Sequence, residues 1–236
     1  MTDTLYLSRA RLRTSRGEAL AAIAPLLIPK DGGARAGHAH RILWLLFQQD
    51  PNAQRDFLWR EDSHGRYLVL SRRPPSDPGA LFELETKPFT PALAPGDRLA
   101  FALRVNPVIA SKQALGDEAK GRRVRGKRVD IVMHELHAVA KGARAEARTR
   151  IAQEAAARWL AAQGVKAGFK LPKVPSVEGY RQISIARGQD RSAGIAVLDL
   201  KGEVEITEPN AFLAKLAVGF GSAKAFGNGL MLIRRA

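Results

Sequence analysis

The sequence predicts an α+β protein built from two βαββαβ modules in tandem, the first of which is degenerate. Three observations lead to this prediction. Short segments in which apolar and polar residues alternate, typical of half-buried strands, recur along the whole chain. Helical segments separate them, and a similar order of strands and helices occurs in both halves. No repeated sequence of a helical-repeat length accompanies this order, so the duplication is one of architecture.

In the first half, the predicted order is strand, helix, strand, strand, an irregular element and a last strand. Residues 5–12 alternate as a strand, and we expect mostly loop with one or two helical turns over residues 14–37, which are rich in Gly, Ala and Pro. The first helix is expected over residues 38–47, because Leu43, Trp44 and Phe47 fall on one helical face. The remaining elements are strands over 55–61 and 66–72 joined by a turn over 62–65, a Pro-rich segment over 74–79 and a strand over 81–85.

The second half predicts the complete set of elements. A strand over residues 98–105 is followed by an Ala-, Arg- and Glu-rich helix over 143–163. Two strands come next, over 182–186 and 195–200, and residues 204–207 extend or follow the second of them. A short helix then opens at Glu208-Pro209-Asn210 and runs through 217, and a closing strand is expected over 230–233. This βαββαβ order is that of the ferredoxin-like, or RNA-recognition-type, fold. We expect an N-terminal domain over residues 1–97 and a C-terminal domain over residues 98–236.

Composition limits the partners that the protein can have. The chain has 236 residues, enough for one large or two small domains, and 38 Lys and Arg against 23 Asp and Glu give a formal charge of +15. This excess predicts a polyanionic partner, and nucleic acid is favoured over a membrane because no basic amphipathic helix stands out. The absence of Cys excludes disulfides and thiolate metal sites. The longest N-terminal apolar patch, residues 19–28, is too short to span a bilayer, so we expect a soluble, cytoplasmic protein.

A glycine-rich segment near the end of the chain, residues 219–230, reads G-F-G-S-A-K-A-F-G-N-G-L. We call it the glycine-rich loop. Its lysine, Lys224, lies among four glycines, and such a loop can turn backbone amides and the ammonium group toward an anion. It is not a nucleotide-triphosphate loop, which needs Gly-Lys-Ser/Thr at the start of a helix. The alternative is a simple glycine-rich turn before a last strand. The four glycines are Gly219, Gly221, Gly227 and Gly229.

The glycine-rich loop resembles the C-terminal signature of the CRISPR-associated RNA-processing endoribonucleases of the type I-E Cascade complex, the CasE family. Three further pieces agree in order with that family: residues 40–44 (H-R-I-L-W), 55–58 (R-D-F-L) and 103–107 (L-R-V-N-P). The resemblance implies two ferredoxin-like modules side by side. It also implies a metal-independent endoribonuclease, monomeric when isolated, that binds the stem-loop of CRISPR repeat RNA, cuts at the stem base and stays bound as a Cascade subunit. The alternative is a non-catalytic RNA-binding subunit on the same scaffold.

His40 is the candidate catalytic residue among the five histidines. We expect it in the first turn of the first helix, where exposed backbone amides favour a neutral imidazole near pH 7. A neutral imidazole can take the proton from a ribose 2′-OH, whose oxygen then attacks the adjacent phosphate and leaves 2′,3′-cyclic phosphate and 5′-OH ends. The resemblance places the catalytic histidine of the family at His40. The other proton-transfer groups of the family are absent from this sequence, because Gly37 and Leu45 occupy the positions where some members have Tyr and Lys.

Several residues remain as possible second acid–base groups. His38 is one of them, although an exposed imidazole is an equal alternative, and Tyr6 and Tyr67 are possible after folding. His134 and His137 are three residues apart, whereas the zinc-protease motif places its histidines four apart. We therefore expect no metal site and no cofactor, and a metal-dependent nuclease would need clustered carboxylates that the sequence does not show.

The candidate RNA-binding residues are basic or lie in the glycine-rich loop. The run over residues 112–128 lacks aromatic residues, which favours contact with a duplex backbone over stacking on unpaired bases, and a mobile basic loop is the alternative. A second basic patch at residues 187–191 is either a hairpin tip that reaches the RNA stem, as the resemblance suggests, or a solvated turn. The complete set is Arg41, Lys112, Lys120, Arg122, Arg123, Arg125, Lys127, Arg128, Arg187, Arg191, Gly219, Gly221, Lys224, Gly227 and Gly229.

Overall fold

The computed structural model describes residues 4–13, 32–48, 54–111, 127–186 and 192–236. Within these ranges the chain forms two antiparallel sheets, each covered on one face by helix, and a two-stranded ribbon. No helix among the described residues is both long enough and apolar enough to cross a membrane.

The first sheet contains four strands in the spatial order β2-β3-β1-β4. Its elements are β1 (Leu5–Leu12), α1 (Gly32–Trp44), a 3₁₀ turn (Leu45–Phe47), β2 (Phe57–Ser63), β3 (Arg66–Ser71) and β4 (Phe82–Phe89). All neighbouring strands are antiparallel. This is the ferredoxin-like order, but residues 72–81, all of them described, contain no helix between β3 and β4. The prediction of a degenerate first module is therefore confirmed, and Pro74, Pro75 and Pro78 explain the missing helix.

The second sheet has the order β11-β5-β10, with β9 and then β8 paired along the other edge of β10. Its elements are β5 (Arg98–Val105), the ribbon strands β6 (Val108–Ser111) and β7 (Lys127–Asp130), α2 (Ile131–Leu136), α3 (Arg144–Ala167), β8 (Phe169–Lys170), β9 (Ser176–Ala186), β10 (Ser192–Ile206), α4 (Pro209–Val218) and β11 (Met231–Arg235). Strands β5, β9, β10 and β11 with helices α3 and α4 reproduce the complete βαββαβ order, so the predicted fold class is confirmed here too.

The two sheets meet along a small apolar contact. Leu5, Leu58 and Leu70 of the first sheet form one buried cluster with Leu230, which ends the glycine-rich loop. Helix α1 also packs against β9 and against the 3₁₀ turn Lys224–Phe226 inside that loop. The first module is thereby placed against the C-terminal end of the chain. The domain limits of 1–97 and 98–236 stay a prediction.

The start of α1 differs from the predicted one. The helix begins at Gly32, so the predicted start at residue 38 is wrong by six residues, although one or two helical turns were expected within residues 14–37. Gly32 and Gly33 each cost about 1 kcal/mol relative to Ala in a helix interior, but they stand at the helix end, and Ala34, Arg35 and Ala36 are good helix formers. One consequence is that His40 lies in the third turn of the helix and not in the first.

The structure also differs from the prediction in the length of β10 and in the presence of a ribbon and a short helix. Strand β10 runs without interruption through Gly202, which sits against the ring of Phe101, so the two predicted segments form one strand. The β6–β7 ribbon and α2 are absent from the prediction. A local signal for α2 does exist, because the side chain of its N-cap residue, Asp130, accepts a hydrogen bond from the backbone N–H of Val132.

Candidate functional site

His40 lies at the junction of the two modules with its ring half-buried among aromatic side chains. The indole N–H of Trp44, one helical turn on, donates a hydrogen bond to His40 Nε2 at 3.2 Å. The ring of Phe57 at the start of β2 lies 6.0 Å from the imidazole, measured between ring centroids. With Nε2 as an acceptor, the neutral ring carries its proton on Nδ1, which is buried and has no partner among the described residues.

The neutral form of His40 is favoured by its surroundings. Burial lowers the pKa of the imidazole below its ordinary value of 6.5, and the positive charge of Arg55 lowers it further. The expected cause, a helix N-terminus, is wrong, since His40 lies in the third turn, beyond the range of the exposed amides. The neutral imidazole therefore results from desolvation and a neighbouring cation.

The glycine-rich loop is held in shape by backbone hydrogen bonds and close packing. The N–H of Phe220 donates to the carbonyl of Gly229 at 3.0 Å, and the N–H of Gly229 donates to the carbonyl of Arg104 at 2.7 Å. Gly229 has φ of +94°, and a Cβ there would lie 2.6 Å from the carbonyl oxygen of Phe220. Gly227 lies against the ring of Trp59 in the first sheet, where a Cβ would approach to 3.0 Å. These positions accept only glycine without a shift of the loop.

Asn106 fastens the glycine-rich loop to the second sheet. Its side-chain amide donates to the carbonyl of Ala196 on β10 at 2.6 Å, and its side-chain oxygen accepts from the hydroxyl of Ser222. The backbone N–H of Ser222 also donates to the carbonyl of Asn106 at 3.1 Å. Asn106 is only 6% exposed, so these bonds are made away from solvent.

Four cations of the described ranges line a cleft beside the loop, and three of them are half-buried. Arg55, Lys215 on α4 and Lys224 line one cleft of about 530 Å³, and Arg128 of the ribbon lies at the same cleft. Burial lowers the pKa of Lys224, and the charges of Lys215 and Arg55 lower it further. Arg55 thus influences both His40 and Lys224, which connects the candidate base to the candidate anion-binding loop.

The structure brings together part of the predicted set. Helix α1, which carries His40, packs against the Lys224–Phe226 turn, and Arg128 lines the same cleft as Lys224. Arg41 is exposed on α1, and Lys127 lies in β7. The predicted RNA-binding residues of the 187–191 patch and most of those in the basic run lie outside the described residues: Lys112, Lys120, Arg122, Arg123, Arg125, Arg187 and Arg191.

The other candidate acid–base groups lie in different surroundings. His38 is half-buried on α1, but residues two apart on a helix point to nearly opposite sides, which disfavours joint action with His40. Tyr67 is 1% exposed and packs edge-on to Trp59 in the first core. Position 37 has no atom within 4 Å of where a Cβ would be. Among the described residues, no three His, Cys, Asp or Glu side chains are grouped to hold a metal ion.

Sequence reasoning did not assign three residues that the structure places at this site: Trp44, Arg55 and Lys215. Trp44 and Arg55 lie in the segments H-R-I-L-W and R-D-F-L, which carry the family resemblance, but neither residue could be assigned a role from the sequence. Lys215 carries no local signal, because a lone lysine on a short helix is ordinary. Only the packing of α4 beside the glycine-rich loop identifies it.

Comparisons with known proteins agree with this architecture. A family model described as "CRISPR associated protein" matches residues 5–235. The CRISPR-associated endoribonuclease Cse3 of Thermus thermophilus is 29% identical over 157 residues, which are 62% of this chain and 60% of that relative, less than two thirds of its length. These matches confirm the family resemblance drawn from the sequence.

Solved structures have a similar fold, with alignments that cover nearly the whole chain. A structure of CRISPR endoribonuclease Cse3 bound to a 19-nucleotide RNA superimposes with a TM-score of 0.68 at 22% identity, covering 99% of this chain and 100% of that one. The CRISPR-associated protein Cas6e from Escherichia coli K-12 has a TM-score of 0.53 at 23% identity, covering 98% and 100%.

Proposed function

Because this chain belongs to the CRISPR-associated protein family, we propose that it is an endoribonuclease that processes CRISPR repeat RNA. It binds the stem-loop of the repeat, cuts at the stem base and stays bound to its product as a Cascade subunit. The name of the Thermus relative, an endoribonuclease, supports the activity. The observation that carries the proposal is that α1, which carries a half-buried histidine whose pKa is lowered, packs against the Lys224–Phe226 turn of the glycine-rich loop.

In the proposed reaction His40 is the general base. It takes the proton of a ribose 2′-OH, the 2′-oxygen forms a bond to the adjacent phosphorus, and the bond from phosphorus to the 5′-oxygen breaks. The products are a 2′,3′-cyclic phosphate and a 5′-OH. To act, the lone pair of His40 Nε2 exchanges its hydrogen bond with Trp44 for one with the 2′-OH.

The cations beside His40 supply the electrostatic part of the reaction. Negative charge builds up on the phosphate oxygens and on the leaving 5′-oxygen, and Arg55 and Lys224 stabilise this charge. We assign the proton for the 5′-oxygen to Lys224, because its lowered pKa makes the ammonium a stronger acid. Since these cations repel a divalent metal ion and perform its electrostatic role, the proposed cleavage is independent of metal.

Replacing His40 separates the binding of RNA from its cleavage. In His40→Ala we expect the repeat hairpin to bind with little loss, while single-turnover cutting slows by about 10²- to 10⁴-fold. The measurement is cleavage of an end-labelled hairpin alongside a filter-binding titration. The matched control is His64→Ala, since His64 is exposed on the β2–β3 turn. Unchanged cutting in His40→Ala removes His40 from the site.

The second candidate function is RNA binding without catalysis on the same scaffold. It is favoured by the lack of a side chain at Gly37 and by Leu45, at positions where the resemblance implies proton-transfer groups. Among the described residues, none lies within 4 Å of where a Cβ at position 37 would be. Tight binding of the hairpin by the wild-type protein, with no cutting under any condition, would establish this function in place of the first.

A further inference from the structure

We propose that Arg55, Lys215 and Lys224 form one anion site that holds the phosphate at the cut. Before cleavage the site binds the scissile phosphate. Afterwards, once Lys224 has regained from solvent the proton that it gave to the 5′-oxygen, the site holds the terminal 2′,3′-cyclic phosphate of the product. We call it the tri-cationic site. The inference rests on the proposed function and extends it, since it gives a physical reason for product retention.

The first argument is that the three charges are not compensated within the described part of the chain. All three side chains are half-buried, and burial lowers the pKa of each one. None of them forms an ion pair with a carboxylate of the described residues. Arg55 Nη1 is buried without a hydrogen-bond partner in the same ranges. Bringing three like charges into one cleft is unfavourable in the free protein, so an anion in the cleft stabilises it.

The shape of the cleft suits a phosphate group. Its wall includes Gly221, Ser222 and Ala223, and both Gly221 and Ala223 have positive φ, at +65° and +54°. The N–H of Ser222 between them donates to the carbonyl of Asn106, so the anion is held by the cationic side chains of the cleft. Arg55 adds a planar guanidinium, which makes two parallel hydrogen bonds to phosphate oxygens, while the two lysines act as point charges.

The position of Arg55 relates the site to the reaction. Its charge lowers the pKa of His40 and also that of Lys224, so it stands near both groups. In the proposal, the phosphate bound by Arg55 and Lys224 is the one next to the 2′-OH that His40 deprotonates, since Arg55 lines the cleft together with Lys224. Lys215 is held beside the loop by its contact with the ring of Phe220, with Nζ 5.1 Å from the ring centroid.

The proposal makes product retention depend on the end group of the RNA. After cleavage the cyclic phosphate keeps one negative charge and both of its bridging bonds to the ribose, so it stays in the tri-cationic site without any movement of the stem. A hairpin of the same sequence that ends in a 2′,3′-diol lacks this anion. The difference in affinity between the two hairpins measures the site directly.

The experiment compares the dissociation constants of these two product hairpins at fixed ionic strength. For the wild-type protein we expect the hairpin with the cyclic phosphate to bind at least about 10-fold more tightly than the diol hairpin, because its phosphate accepts charge-assisted hydrogen bonds from the site. In Arg55→Gln and in Lys215→Gln the ratio falls toward 1, whereas the affinity for the diol hairpin changes little. Lys215→Arg keeps the charge and is expected to keep most of the preference.

A control variant separates this site from the general positive charge of the protein. Lys141→Gln removes an exposed lysine just before the first turn of α3, at the opposite end of that helix from Gln163, which lines the cleft. We expect it to retain the full ratio. If the wild-type protein binds both hairpins equally, or if both Gln variants keep the wild-type ratio, the tri-cationic site is wrong although the protein binds RNA. If neither hairpin binds, the proposed function fails as well.

Discussion

Three neighbours determine the exposure and the protonation state of the His40 imidazole. Trp44 on the same helix occupies Nε2, Phe57 at the start of β2 excludes water from one side, and Arg55 supplies a positive charge. Burial and that charge both disfavour the protonated ring. A histidine with a lowered pKa is neutral at pH 7, as a general base must be.

Removing the charge of Arg55 is expected to shift the pH dependence of cleavage. Cutting requires neutral His40, so the rate falls as pH decreases through the pKa of His40, which lies below 6.5. In Arg55→Gln one of the two causes of the lowered pKa is gone, and the acidic limb of the rate profile moves to higher pH. Single-turnover rates across the acidic range measure this shift.

Two results would count against this assignment. Lys141→Gln is the control for loss of a remote positive charge, and its acidic limb is expected to coincide with that of the wild type. An acidic limb in Arg55→Gln that stays in place or moves to lower pH means that Arg55 does not act on the group that limits cleavage.

The glycine-rich loop owes its conformation to the ends of β5 and β10. The N–H groups of Ser222 and Gly229 donate to the carbonyls of Asn106 and Arg104, and the glycines of the loop fit closely under Trp59 and beside Phe220. The loop in turn presents Lys224 to α1. Asn106 is the central residue of this arrangement because it joins the loop to Ala196 of β10 through one buried side chain.

Truncating Asn106 is expected to destabilise the protein more than truncating its loop partner. Asn106→Ala leaves the carbonyl of Ala196 and the hydroxyl of Ser222 without their partner, at a cost of about 1–3 kcal/mol. Ser222→Ala removes one hydrogen bond and is expected to cost about 1 kcal/mol or less. Urea denaturation gives both values. An Asn106→Ala variant as stable as Ser222→Ala would show that the buried bonds do not hold the loop.

At the scale of the whole molecule, the two modules have no complete site separately. His40 and Arg55 belong to the first sheet and its helix, whereas Lys215 and Lys224 belong to the second half of the chain. The contact among Leu5, Leu58, Leu70 and Leu230 holds the two sheets together, and Arg55 lines one cleft with Lys215 and Lys224. The tri-cationic site therefore exists only when both modules are docked.

The sequence predicted the strand order well and the assembly of the site less well. Alternation identified β1 and β5 at their observed limits, because one face of each is buried and the other is polar. The start of α1 was missed because glycine weighs against a helix in any local scale. The grouping of Arg55 and Lys215 with Lys224 depends on packing between distant segments, which no local pattern encodes.

The most direct test of the account is cleavage of the repeat hairpin by the wild-type protein in EDTA, with a matched hairpin carrying a 2′-deoxyribose at the cut. The account predicts that the ribose hairpin is cut at the stem base and that its 5′ fragment ends in a cyclic phosphate. The deoxy hairpin is expected to bind equally well and to stay intact. Cutting of the deoxy hairpin, or cutting that stops in EDTA and returns with added Mg²⁺, would contradict the general-base role of His40 and the metal-free chemistry built on it.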